Sequence, residues 1–138
     1  MNCPPPSTPA RPGELRRLIR ALGYSLQGLA AAARHEAAFR LELILGMPAM
    51  LLAAFLPLPL PARAMLIASV LLILLAELLN SAVECVVDYA AREHHPLAGR
   101  AKDMGSAAVF LAMLNAVLVW CLVVAGHWQA LSIAFCGS

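Results

Sequence analysis

Glu77, Asn80, Ser81, Glu84 and Asp88 bring acid–base and ligand chemistry into a run of the chain that is otherwise apolar. Their offsets of 0, 3, 4, 7 and 11 place them on one narrow stripe of a helix that turns about 100° per residue. A carboxylate in an apolar span costs several kcal/mol unless it is paired, protonated or bound to a cation, so such a stripe faces a protein interior and marks a functional path. Adhesion between helices is the plainer use of polar groups in such a place. Two acids are an expensive means to adhesion, which favours chemistry.

The stripe has neighbours. Glu36, in ARHEAAF, and Glu42, at the start of the preceding apolar run, add carboxylates. Arg100, Lys102 and Asp103, in LAGRAKDMGSA, stand before the next apolar run, and Lys102 and Ser106 are four apart and share a helix face. Carboxylates able to hold a hard cation and basic groups able to hold phosphate thus gather at one end of the apolar segments. Such oxygen ligands suit Mg2+, which takes one or two carboxylates and shares its other positions with substrate phosphates and water. Arg100 and Lys102 also fit simple anchoring at a membrane surface.

Standard nucleotide and metal signatures are missing. Gly23 and Gly28 have the glycine spacing of a phosphate-binding loop, but Leu29 and Ala30 stand where Lys and Ser or Thr are required. There is no GxGxxG and no HExxH, and adjacent His94 and His95 read as loop residues rather than transition-metal ligands. Basic residues are few and lie next to membrane segments, which disfavours nucleic acid as a partner. Cys3, Cys85, Cys121 and Cys136 lack CxxC spacing, so neither a disulfide framework nor a zinc site is expected.

The elements that position these groups follow from composition. The chain has 138 residues, 62% apolar and 13% charged, with mean hydropathy +0.78. A soluble domain carries about 25% charged residues, so lipid is the expected solvent and one all-α membrane domain the expected fold. Residues 1–13 hold five prolines and no apolar run fit for a signal-peptide core, and read as a disordered tail. No hydrophobic stretch precedes Cys3 to support a lipid anchor.

From about 14 to 34, Leu15, Leu18, Ile19, Leu22, Leu26 and Leu29 recur at steps of three and four, with Arg16, Arg17, Arg20 and Gln27 opposite. This predicts an amphipathic helix lying in the headgroup layer. Leu43 to Ala62 is twenty residues without a charge, and spans are expected at about 41–60, 64–87 and 104–126. Three crossings put the termini on opposite sides. Six basic residues precede the first span, three more (Arg92, Arg100 and Lys102) follow the second, and only Arg63 lies in the other loop. The positive-inside rule then predicts a cytoplasmic amino end and 88–103 loop, and an external carboxyl end. Trp120, His127 and Trp128 fall near the outer part of the third span, where indole rings mark the interface.

Three blocks, GYSLQGLAAAARHEAAFRLE, AELLNSAVECVVD and LAGRAKDMGSAAV, resemble the prokaryotic diacylglycerol kinase family. The resemblance covers roughly residues 15–128, and implies one membrane domain over about 14–128 with a carboxyl tail at 129–138. It implies a homotrimer in the bacterial cytoplasmic (inner) membrane that moves the γ-phosphate of MgATP onto the hydroxyl of diacylglycerol, giving phosphatidic acid in phospholipid recycling. By that resemblance Glu77 is the general base, Asn80 a polar active-site partner, and Glu36 and Glu84 the carboxylates that hold Mg2+ with ATP. Arg17, Tyr24, Glu93, His95, Lys102 and Asp103 match further nucleotide positions, while Arg17, Glu77 and Ser106 match positions near the lipid substrate. Undecaprenol kinases of the same fold share these motifs. An oligomer conducting ions or protons along the stripe is the alternative from a different class.

Overall fold

The computed structural model describes residues 13–90 and 95–128. Expectations placed on 1–12, 91–94 and 129–138, those for Arg92, Glu93 and His94 included, lie outside the described residues. Four helices follow in order: α1 Glu14–His35, α2 Ala37–Phe55, α3 Leu60–Ala90 and α4 Pro96–Gly126. The last three are long and apolar enough to cross a membrane.

The first apolar crossing is shorter than the uncharged run suggested. Expected over about 41–60, it begins at Ala37 and is helical only to Phe55. Leu56 is extended at φ −60°, ψ 140°, because the residue before a proline is pushed out of the α region, here by Pro57. Pro59 follows at once, and α3 restarts at Leu60. Pro48, by contrast, sits inside α2 without ending it, as helices that can re-satisfy the freed carbonyl allow. Arg63, the lone basic residue of this corner, donates from Nη1 to the Ala54 carbonyl at 3.0 Å and so caps the end of α2.

The second correction concerns the segment expected as an 88–103 loop. α3 continues to Ala90 and α4 starts at Pro96, so most of that segment is helix. At 1.5 Å per residue, each 31-residue helix is about 46 Å long, well beyond a hydrocarbon core of about 30 Å. Their surplus length is the polar end of the bundle, with Asp88, Arg100, Lys102 and Asp103 on it.

α3 packs along α4 and, over a shorter length, α2, while α1 touches α2 and α3. Ala53, Leu58, Ala62, Leu66 and Val123 form a buried cluster at the end of the bundle away from the polar stripe, and Trp120 packs inward against it. Close approach at mid-bundle rests on Gly46, where a Cβ would come within 2.9 Å of Val70 Cγ1. Large apolar side chains elsewhere point outward, with Phe55 84% and Leu122 72% exposed. Such a surface suits lipid or further helices rather than water.

Candidate active site

α3 is continuous through the whole polar stripe, so Glu77, Asn80, Ser81, Glu84 and Asp88 do share a face. That face turns into the bundle. Glu77 is 6% exposed and Ser81 equally buried, Asn80 and Glu84 are half-buried, and Asp88 emerges at the polar end. Asn80 Nδ2 donates to Glu84 Oε1 at 3.1 Å, one helical turn along. Its own Oδ1 is buried without a partner. Gly105 of α4 makes room for it, since a Cβ there would overlap the Asn80 amide oxygen.

Glu36 comes from the other side. It ends α1 and begins α2 in an extended conformation, φ −100° and ψ 117°, with its N–H donating to the Ala32 carbonyl at 2.9 Å. Arg40 Nη1 donates to the Arg34 carbonyl at 3.0 Å across the same corner. The corner aims Glu36 at α3: with Ser81 it lines a cleft of about 670 Å³ between α1 and α3. Glu77 lies within electrostatic reach of both Glu84 and Glu36, and Glu42 within reach of Glu77.

α4 contributes the cation. Lys102 Nζ pairs with Asp88 Oδ1 at 2.6 Å. The hydrogen bond to Asp88 holds the Lys102 ammonium above its usual range, so it is a permanent positive charge at the polar end. His95 is the N-cap of α4: its Nδ1 accepts from the Leu97 N–H at 3.2 Å, with Pro96 at the first helical position.

The other expected site residues stand apart from this cluster. Arg17 and Tyr24 are exposed along α1, and Asp103 and Ser106 are exposed on α4. None of the four makes a side-chain hydrogen bond or ion pair among the described residues. Two residues gain a part that spacing alone did not assign, and one expected carboxylate is seen in place. Asp88 holds Lys102 and Gly105 receives Asn80, while Glu42, already expected among the carboxylates, is half-buried with Oε2 unpartnered and within reach of Glu77. The glycine inside the helical DMGSAA run was the visible signal for the second.

Chemically, the site is an excess of carboxylate oxygen with one strong cation at its rim. Among the described residues no three His, Cys, Asp or Glu side chains stand close enough to hold a metal ion by themselves. Carboxylates such as Glu36 and Glu84 are of the oxygen-donor type that suits a hard divalent cation sharing its coordination with phosphate and water, and the buried oxygens Asn80 Oδ1 and Glu42 Oε2 have no hydrogen-bond partner.

Fold and site together define a class: small, all-helical proteins able to span a membrane, with a carboxylate site set into the polar end of the bundle. Within it, the chain belongs to the prokaryotic diacylglycerol kinase family, whose model matches residues 23–124. The chain is 48% identical over 112 residues to the diacylglycerol kinase of Escherichia coli, covering 81% of this chain and 92% of that one. It is 46% identical to that of Pseudomonas aeruginosa over 112 residues (81% and 91%). Against that of Helicobacter pylori the identity is 38% over 112 residues (81% and 88%).

Proposed function

We propose that the chain is an integral membrane lipid kinase that transfers the γ-phosphate of ATP to the free hydroxyl of 1,2-diacylglycerol, yielding phosphatidic acid and ADP for phospholipid recycling. The observation that carries this reading is the buried Glu77 carboxylate, within electrostatic reach of Glu84 and Glu36 on the face where Asn80 bonds Glu84. Phosphoryl transfer asks a protein chiefly for positioning and for neutralised charge.

Glu77 accepts the proton of the acceptor hydroxyl as that oxygen attacks the γ-phosphorus; the new O–P bond forms while the bond to the ADP oxygen breaks. Asn80 orients Glu84 through the 3.1 Å bond. Lys102, fixed by Asp88, offsets phosphate charge at the rim. Mg2+, which Glu36 and Glu84 would hold together with the triphosphate, supplies further neutralisation of the phosphates. Arg17, Tyr24, Glu93, His95 and Asp103 complete the nucleotide side, and Arg17 and Ser106 the lipid side.

In this reading α1 lies in the headgroup layer, the amino terminus is cytoplasmic, the carboxyl terminus is external, and three copies assemble in the inner membrane. The basic residues support that orientation, because nine of ten flank the segments assigned to the inner side. The test is transfer of labelled γ-phosphate from ATP by detergent-purified protein, with and without Mg2+, offering diacylglycerol and undecaprenol in parallel mixed micelles. Mg2+-dependent phosphatidic acid is expected, with kcat/KM higher for diacylglycerol. Preference for the polyisoprenol would reassign the acceptor, and no transfer to either would end the reading.

A further inference from the structure

Tyr89 is 90% exposed, the highest value among the large apolar and aromatic side chains of the described residues. It makes no side-chain hydrogen bond or ion pair among them. Its height on α3 excludes two ordinary uses of such a ring. Twenty residues from Leu60 fill a hydrocarbon core of about 30 Å and end at Leu79. Tyr89 lies ten residues farther on, about 15 Å beyond that edge, whereas the headgroup layer is about 5–8 Å deep on each side. The ring therefore stands in water, above the belt where tyrosine anchors a helix to the interface, and it packs into no core.

Its direction is set by the helix. Leu78, Ser81, Ala82 and Cys85 are the α3 residues that line the cleft of about 670 Å³ against α1, with Glu36 on the opposite wall. Tyr89 is four residues beyond Cys85 and seven beyond Ala82, so the same face of α3 carries it, one turn past the end of the cleft. Its chain neighbour Asp88 holds Lys102. Glu84 is five residues below Tyr89, about 7–8 Å along the axis. A nucleoside triphosphate whose phosphates reach Glu36, Glu84 and Lys102 places its ribose and base farther from the membrane, because apolar helix and lipid lie in the other direction. The group that stands there is Tyr89. A base needs a flat π surface rather than a charge, and every base has a π face to stack on it.

We infer that Tyr89 is the stacking platform for the base of the nucleoside triphosphate, a binding residue at the aqueous end of the α1–α3 cleft. The inference rests on the kinase reading for the identity of the ligand, and it concerns the part of the nucleotide that the carboxylates and Lys102 do not hold. Purine triphosphates are favoured over pyrimidine ones, since the larger ring stacks more strongly.

Equilibrium dialysis of MgATP against the full chain in detergent micelles, without acceptor lipid, measures the contact directly, with inorganic tripolyphosphate as a competitor that carries phosphates and no base. Tyr89→Ala is expected to raise the Kd for MgATP about five- to fiftyfold and to leave the Ki of tripolyphosphate at its parental value. Tyr89→Phe, which keeps the ring and drops the hydroxyl, is expected to bind MgATP as the parental chain does. In the transfer assay Tyr89→Ala raises the KM for ATP and keeps kcat. An unchanged Kd for MgATP in Tyr89→Ala would overturn the inference. So would a Tyr89→Phe defect equal to that of Tyr89→Ala, which would assign the effect to the hydroxyl, and so would a parallel loss of tripolyphosphate affinity, which would make Tyr89 a support of the fold. The expected binding pattern without transfer to any lipid would refute the kinase reading and leave the stacking role standing; transfer by Tyr89→Ala with parental kcat and KM would do the reverse.

Discussion

Replacing Gly105 by Ala separates the site from the stability of the fold. The added Cβ would occupy the space of the Asn80 amide oxygen and press on its Cγ at 3.3 Å, with the α3 backbone at Asn80 Cα only 3.7 Å away. The side chain can rotate, but it then leaves Glu84, forfeiting a 3.1 Å hydrogen bond to a carboxylate. Such a bond is worth about 1.5–3 kcal/mol, and Ala recovers about 1 kcal/mol of helix propensity over Gly. The net loss is therefore about 0.5–2 kcal/mol, too small to unfold the bundle. Misplacing Asn80 and freeing Glu84 by about an ångström costs about a hundredfold in rate. Initial rates of γ-phosphate transfer to a short-chain diacylglycerol in mixed micelles, with residual activity after heating, read the two effects separately. Gly99→Ala is the control, because nothing lies within 4 Å of a Cβ there. If Gly105→Ala kept its parental kcat, or Gly99→Ala fell as far, the pairing of α3 with α4 at Asn80 would not be what positions the site.

Glu77→Gln keeps the shape of the buried side chain but removes the proton acceptor, so transfer should fall by about a hundredfold or more while nucleotide binding, followed by equilibrium dialysis, stays close to parental. Lys102→Met should raise the KM for ATP, with little change in melting, since the ion pair it breaks has partners 38% and 67% exposed and solvent screens such pairs; a matched loss of thermal stability would argue instead for a structural lysine. Gly46→Ala pushes a methyl to 2.9 Å from Val70 Cγ1 and should destabilise the α2–α3 contact by about 1–3 kcal/mol. Adding Val70→Ala should recover part of that loss in the same thermal-inactivation assay, and no recovery would place the strain elsewhere.

Much of this protein could be read along the chain because a membrane imposes one-dimensional rules. Length and polarity of an apolar run decide whether a helix can cross, and a period of 3.6 decides which residues share its face, so the three long helices and the Glu77 to Asp88 stripe were visible in residue types and spacing alone. Family membership was equally legible in three short blocks. The helix ends were not. Whether an uncharged run stays helical depends on backbone conflicts such as Leu56 before Pro57, and whether a charged segment is loop or helix depends on a cap such as His95 on Leu97, which hydropathy does not register. Tertiary structure alone decided the pairings: Lys102 with Asp88, Asn80 against Gly105, and Glu36 turned toward α3 by the corner between α1 and α2. Those are contacts between residues far apart in sequence, and their distances are set by how helices pack, which no single helix encodes.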